Sequence, residues 1–212
     1  MSIVLKYDKD LDCVVIVSRK GHHYENYQRN QRANSRSELW LPMDFKNRSV
    51  LDIGCSYGGT MAAAKRMGAK TVTGFDACED AVDSCIAAGY SVRLMDINDP
   101  RTFRRCALAD TVMCLAVWHT SPFSERKSIM AHAAQLANDC MYWETHRNES
   151  PVEVAYYIFH YTRFTNIRKL GEYTDENRCL LRASYDGPSS SATMLKDPYP
   201  EFSDFEELQL CL

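Results

Sequence analysis

The stretch Val50–Gly58, VLDIGCSYG, constrains this chain more than any other part of it. An apolar β-forming run carries an acid, Asp52, near its end and turns through Gly54, Gly58 and Gly59 into TMAAAKRMG, a helix-forming segment. Glycines allow left-handed backbone, and a helix that starts beyond them aims its free N–H groups at whatever lies past the strand. Strand, glycine turn and helix form the repeating unit of open parallel sheets, whose ligands lie at the carboxyl ends of the strands. The acid narrows the ligand. A GxGxxG loop cradles an anion, and a carboxylate two residues before the first glycine opposes one. Asp52 suits a ligand with positive charge, such as an amino group or a sulfonium.

The rest of the chain repeats that unit. IVLKY (3–7) and CVVIVS (13–18) flank KDLD and read as a hairpin, and residues 24–40 read as a helix that stops at Pro42. The strand at Val50 is followed by a helix over 59–67, the strand TVTGFD, a helix over 78–88 and the strand SVRLMD. A short helix near 100–107, the strand TVMCLAV, a helix over 122–137 and the strand CMYWET complete the alternation. Strands separated by helices of this length make a parallel, doubly wound α/β sheet. Beyond Glu144 the pattern changes: 152–164 reads as an aromatic-rich helix and 178–185 as a final strand. GPSSSAT (187–193) reads as a linker, and the acidic stretch after it carries Phe202, Phe205 and Leu208 for packing on the domain or for a partner. The expected division is a hairpin and helical cap over 1–45, a cofactor-binding core over 46–186 and the linker with its acidic segment over 187–212.

Three acids then fall at one edge of the sheet. Asp52, Asp76 and Asp96 each end a successive core strand. An acid after the second strand can accept both hydroxyls of a ribose. One after the third can accept the exocyclic amine of adenine, with Phe75, Ala77 and Ile97 against the ring. Helix capping explains any one of these acids alone. All three at one edge, after a glycine loop with an acid before it, point to S-adenosylmethionine rather than NAD or ATP.

With LDIGCSYGG, GFDA and LMDIND in place, residues 24–185 resemble the class I S-adenosylmethionine-dependent methyltransferases. The resemblance is to compact members with an N-terminal helical cap. It implies a Rossmann-like doubly wound sheet of seven strands, mostly parallel with an antiparallel last strand. It further implies that S-adenosylmethionine lies across the strand ends and leaves as S-adenosylhomocysteine. Asp52, Gly54, Cys55, Ser56, Gly58, Asp76, Ala77, Asp96, Ile97 and Leu115 are the implied cofactor residues. Serine at 56 departs from the family, which commonly has glycine there, and this puts the loop geometry in question. Family members place the residues after the fourth strand beside the reactive methyl group. Here Leu115, Ala116 and Val117 would flank the methionine moiety, with Trp118 and His119 facing the acceptor.

His119 titrates near neutrality and is the candidate general base, or else it caps the helix that follows. Glu144 either accepts from an acceptor hydroxyl or amine, or is tied to an arginine of the cap. The chain lacks the (N/D)PP(Y/F) signature, the Pro-Cys nucleophile and the paired glutamates that mark three common acceptor classes. A small polar or aromatic metabolite is the expected acceptor. RNA is the alternative, with Arg29, Arg32 and Arg36 on one helix face to meet phosphates. A protein that binds cofactor or partner without catalysis is the reading of a different class. The net charge of −3 gives no global case for nucleic acid, and the apolar runs are too short to cross a bilayer. Nine cysteines without CxxC pairs read as reduced thiols of a cytoplasmic protein, with no metal site.

Overall fold

The computed structural model describes residues 4–8, 13–17, 36–99, 101–115, 117, 123–146, 149–173 and 178–185. The expected hairpin is present, with β1 (Val4–Asp8) antiparallel to β2 (Cys13–Val17). Seven further strands form one sheet: β3 (Ser49–Ile53), β4 (Thr71–Asp76), β5 (Ser91–Leu94), β6 (Ala109–Cys114), β7 (Ala137–Glu144), β8 (Asn166–Tyr173) and β9 (Arg178–Ser184). Their order is β5-β4-β3-β6-β7-β9-β8. All are parallel except β9, which runs against both of its neighbours. The chain steps outward from β3 through β4 to β5, then returns to lay β6 on the other side of β3. That reversal opens a crevice at the carboxyl ends of β3 and β6, where sheets of this kind bind ligands.

Helices cover both faces, which is why the central strands are apolar along their whole length. On one face α1 (Gly59–Arg66) and α2 (Glu79–Ala87) bring Met61, Ala64 and Val82 into one cluster with Val50, Val72 and Met113. On the other, α3 (Arg101–Arg104), α4 (Phe123–Leu136) and α5 (Pro151–Tyr161) pack Phe103, Met130 and Ile158 with Ile53, Val112 and Trp143. Alternation of side chains along each strand assigns neighbours to opposite faces. Asp52 therefore lies on the α1 face with Val50, and Ile53 on the other. Among the described residues no helix is long and apolar enough to cross a membrane.

The segment before β3 completes the α1 face. Trp40 stacks on Phe45, and both rings contact Tyr142 of β7. Between them the 3-10 turn Pro42–Asp44 buries a carboxylate. Asp44 accepts from Arg182 Nε at 2.6 Å and Nη2 at 2.8 Å, and from the Tyr142 hydroxyl at 2.6 Å. Tyr142 in turn accepts from the Leu41 amide at 3.0 Å, and Thr111 donates its hydroxyl to the Asp44 carbonyl. Arg182 and Tyr142 face each other across the β7–β9 pair.

Three elements differ from the sequence reading. β7 begins at Ala137, directly at the end of α4 and three residues before the strand expected from Cys140. The helix expected over 152–164 ends at Tyr161. β8 then appears where periodicity shows no strand, since it is an edge strand in which, among the described side chains, Ile167 is the buried one and Arg168 and Glu172 are exposed. The linker over 187–193, the acidic C-terminal segment and most of the helix over 24–40 lie outside the described residues.

Removing one partner from a buried ion pair strands the other. Asp44→Ala should lower stability by about 3 kcal/mol in denaturant titration, and a loss below about 1 kcal/mol would show that the contact with Arg182 does not hold the segment.

Candidate cofactor site

The loop between β3 and α1 turns through three left-handed residues, Gly54 (φ 71°), Ser56 (φ 47°) and Gly58 (φ 80°). Serine thus takes the conformation that glycine commonly supplies there, and the expected loop survives the substitution. Several contacts hold it. The Gly54 and Cys55 amides donate to the Phe75 carbonyl at 2.9 and 3.0 Å, and the Ser56 amide donates to Asp76 Oδ2 at 2.8 Å. The Cys85 thiol of α2 donates to the Ser56 carbonyl at 3.2 Å. Gly54 is also required by its neighbour: a Cβ there would lie 2.8 Å from Cγ1 of Val117, just past β6. The β3 loop and the segment after β6 meet at this point, across the crevice.

Asp52, Asp76 and Asp96 share the carboxyl edge, as expected, but in different environments. Asp52 is 1% exposed, and its Oδ2 has no hydrogen-bond partner among the described residues. Burial pushes its carboxyl up to about 8, against the opposing pull of Arg36 and with a smaller push from Asp76. Asp76 is part-exposed and anchors the loop, taking the Ser56 amide on Oδ2 and the Cys78 amide on Oδ1 at 2.9 Å. Each of its oxygens retains a second lone pair. Asp96 is exposed and accepts both the amide and the side-chain Nδ2 of Asn98 on Oδ1.

The apolar residues divide. Ala77 is exposed at the edge, whereas Ile97 and Leu115 are buried. Phe75 is taken up by the core, edge-on to Phe103 at 6.4 Å, and is not available to sandwich a ring. Cys55 is buried and hydrogen-bonded to Cys85, which together with burial holds its thiol well above the usual range. Cys55, Cys85 and Cys114 are buried free thiols. Among the described residues no group of three or more His, Cys, Asp or Glu could hold a metal ion.

Glu144, at the end of β7, is fully buried and joined to two cations: Arg36 Nη2 at 2.6 Å and Arg178 Nη1 at 3.3 Å. Of its two expected roles, the geometry favours the tie to an arginine of the cap. Arg36 is correspondingly 8% exposed and does not lie on an open phosphate-binding face. Arg29, Arg32, Ala116, Trp118 and His119 lie outside the described residues. Sequence reading did not find the role of Asp76 as loop anchor, although an acid two residues before a helix N-cap is the usual signal of such a turn. Nor did it find the Gly54–Val117 contact, which has no local signature.

These residues fit a ligand that is cationic at one end and carries hydroxyls at the other. The orphaned oxygen of Asp52 asks for a donor, and Asp76 lies one strand over at the same edge.

The model of the FtsJ-like methyltransferase family matches residues 31–176. Among solved structures, magnesium protoporphyrin IX methyltransferase from Synechocystis PCC 6803 with bound SAM is 16% identical, with a TM-score of 0.61 over 80% of this chain and 86% of that one. A SAM dependent methyltransferase from Archaeoglobus fulgidus is 13% identical, with a TM-score of 0.62 over 76% and 99%. N-methyltransferase NodS from Bradyrhizobium japonicum WM9 is 15% identical, with a TM-score of 0.55 over 78% and 98%. At such identities the likeness is one of fold. No curated protein matches the chain.

Two measurements check the site. Ser56→Gly relieves left-handed strain and should raise stability by about 1 kcal/mol, and a loss would mean that Ser56 contributes contacts outweighing the strain. Asp52 titrates near 8 in the folded chain. In the unfolded chain an aspartate titrates near about 3.9. Its contribution to stability is therefore full below about pH 4 and is lost as pH rises toward about 8. Asp52→Asn should flatten that decline in thermal melts, and an unchanged slope would assign it to other groups.

Proposed function

We propose that this chain, which belongs to the FtsJ-like methyltransferase family, takes S-adenosylmethionine in the β3–β6 crevice and passes its methyl group to an oxygen or nitrogen of a small polar or aromatic metabolite. The observation that carries the cofactor reading is the buried Asp52 Oδ2, which has no hydrogen-bond partner among the described residues, beside a loop of three left-handed residues, with Asp76 and Asp96 at the same edge. When bound, the cofactor supplies a methyl group already activated by its sulfonium leaving group.

The chain's own part is positioning in a dry site. Asp52 receives the ammonium of the methionine moiety, and Gly54, Cys55, Ser56 and Gly58 bring backbone against it. Asp76 takes the ribose hydroxyls on the lone pairs left by the Ser56 and Cys78 amides. Asp96 takes the adenine amine, with Ala77 and Ile97 beside the ring, and Leu115 gives an apolar wall near the methyl. His119, shortly after β6, is the proposed base for an acceptor whose proton must leave. Glu144 acts as a positioning residue that ties Arg36 of the segment before β3 to Arg178 of β9.

A small acceptor is favoured over RNA by the burial of Arg36, which removes one member from the arginine row that would meet phosphates. One structural neighbour acts, by its name, on magnesium protoporphyrin IX, which agrees with an acceptor of that size class.

Asp76→Ala should weaken S-adenosylmethionine binding by roughly tenfold or more, about 1.4 kcal/mol, in calorimetric titration. Wild-type affinity in that variant would sink the ribose assignment. Incubation with methyl-labelled cofactor, a metabolite extract and RNA should place label in the small-molecule fraction. Label in RNA, with binding that weakens steeply in salt, would replace the metabolite reading.

A further inference from the structure

A site that only had to receive an ammonium group could use a hydrated carboxylate, yet Asp52 is sealed from water and its Oδ2 lacks a partner among the described residues. Every element around it contributes a titratable or charged group. Cys55 stands on the loop, Asp76 on β4 and Cys114 on β6, and Arg36 acts on it from the segment before β3. Burial outweighs the one cation among these groups, Arg36. Arg36 lies 2.6 Å from Glu144, which also holds Arg178, so one carboxylate faces two guanidiniums and the remaining positive charge pulls on Asp52 against its burial. Asp76 carries the same sign as an ionised Asp52 and opposes its ionisation. Burial holds the Cys114 thiol above its usual range, so it stays neutral and offers no countercharge. A buried carboxylate in such surroundings keeps its proton until a cation arrives.

We propose that Asp52 is a proton switch for cofactor binding, neutral in the empty site and giving its proton to solvent as the ammonium of S-adenosylmethionine docks. The inference rests on the cofactor reading above. Its chemistry balances simply: a carboxylic acid and an ammonium ion become a carboxylate–ammonium pair, and one proton leaves to buffer. The sign follows. Below the titration of the empty site, binding must expel a proton, so affinity rises with pH. Once Asp52 is already ionised, near pH 8, the dependence flattens. Cofactor occupancy of the full chain thereby responds to pH in the range where most carboxylates are silent.

The test is calorimetric titration of the full chain with S-adenosylhomocysteine, which has the ammonium but no sulfonium, in buffers of differing ionisation enthalpy. At about pH 6 close to one proton should be released per ligand bound, and the affinity should tighten by roughly tenfold or more between about pH 6 and pH 8. Methylthioadenosine, which lacks the amino-acid moiety, should bind with no proton released. Asp52→Asn should bind S-adenosylhomocysteine with neither proton release nor pH dependence in that range. Tight binding without proton release, or equal release with methylthioadenosine, would overturn the switch and leave the cofactor site standing. No binding of either ligand at any pH would overturn the cofactor reading itself.

Discussion

The site rests on a face of the sheet where charge is buried, and each buried charge there has to find its opposite within a few ångströms. The segment 36–45 carries a cation at Arg36 and an anion at Asp44. The sheet beneath carries an anion at Glu144 and a cation at Arg182. Arg36 meets Glu144 and Asp44 meets Arg182, so only one orientation of the segment pairs both. Reversing it would set Arg36 toward Arg182 and Asp44 toward Glu144, two like-charge contacts under cover. Trp40 and Phe45 fill the space between these pairs and supply the apolar area, while the charges supply the direction. The oriented segment completes the α1 face, which also carries the buried Asp52.

How much of this was legible follows the range of the interaction. The β3 turn could be read because its signals are local: an apolar run, an acid, then glycines at positions that need left-handed backbone. The alternation that follows was readable because a sheet covered on both faces demands continuous apolar strands. β8 was not, since an edge strand buries one side of a few residues, and NIRKLGEY shows charge and a glycine where period-two alternation would be sought. The resemblance of the core to a known family implied the seventh strand that periodicity missed. Asp44 and Arg182 were illegible for a different reason: 138 positions separate them, and each alone reads as a surface charge.

Ser56 shows how a departure from a family pattern can leave the geometry unchanged. The loop needs a left-handed residue at that place, and serine meets the need at a steric cost that glycine avoids. Its amide is fixed by Asp76 and its carbonyl by Cys85, so strand β4 and helix α2 each hold one end of the strained peptide. Asp76 is thereby given two tasks, shaping the loop and facing the proposed ribose. A family pattern displays the second task and hides the first, because loop anchoring appears only as a distance.

The same division explains why Asp52 is tolerated. An uncompensated carboxyl at 1% exposure works against folding whenever solvent pH would ionise it. Asparagine is the same size and carries no charge, so selection for stability alone would favour it at this position. Partial relief is at hand, since Arg36 pulls on Asp52, but burial outweighs that pull. The arrangement makes physical sense if the missing cation belongs to something that comes and goes. An arginine fully committed to Asp52 would stabilise the empty protein and would compete with the arriving ammonium for the same carboxylate.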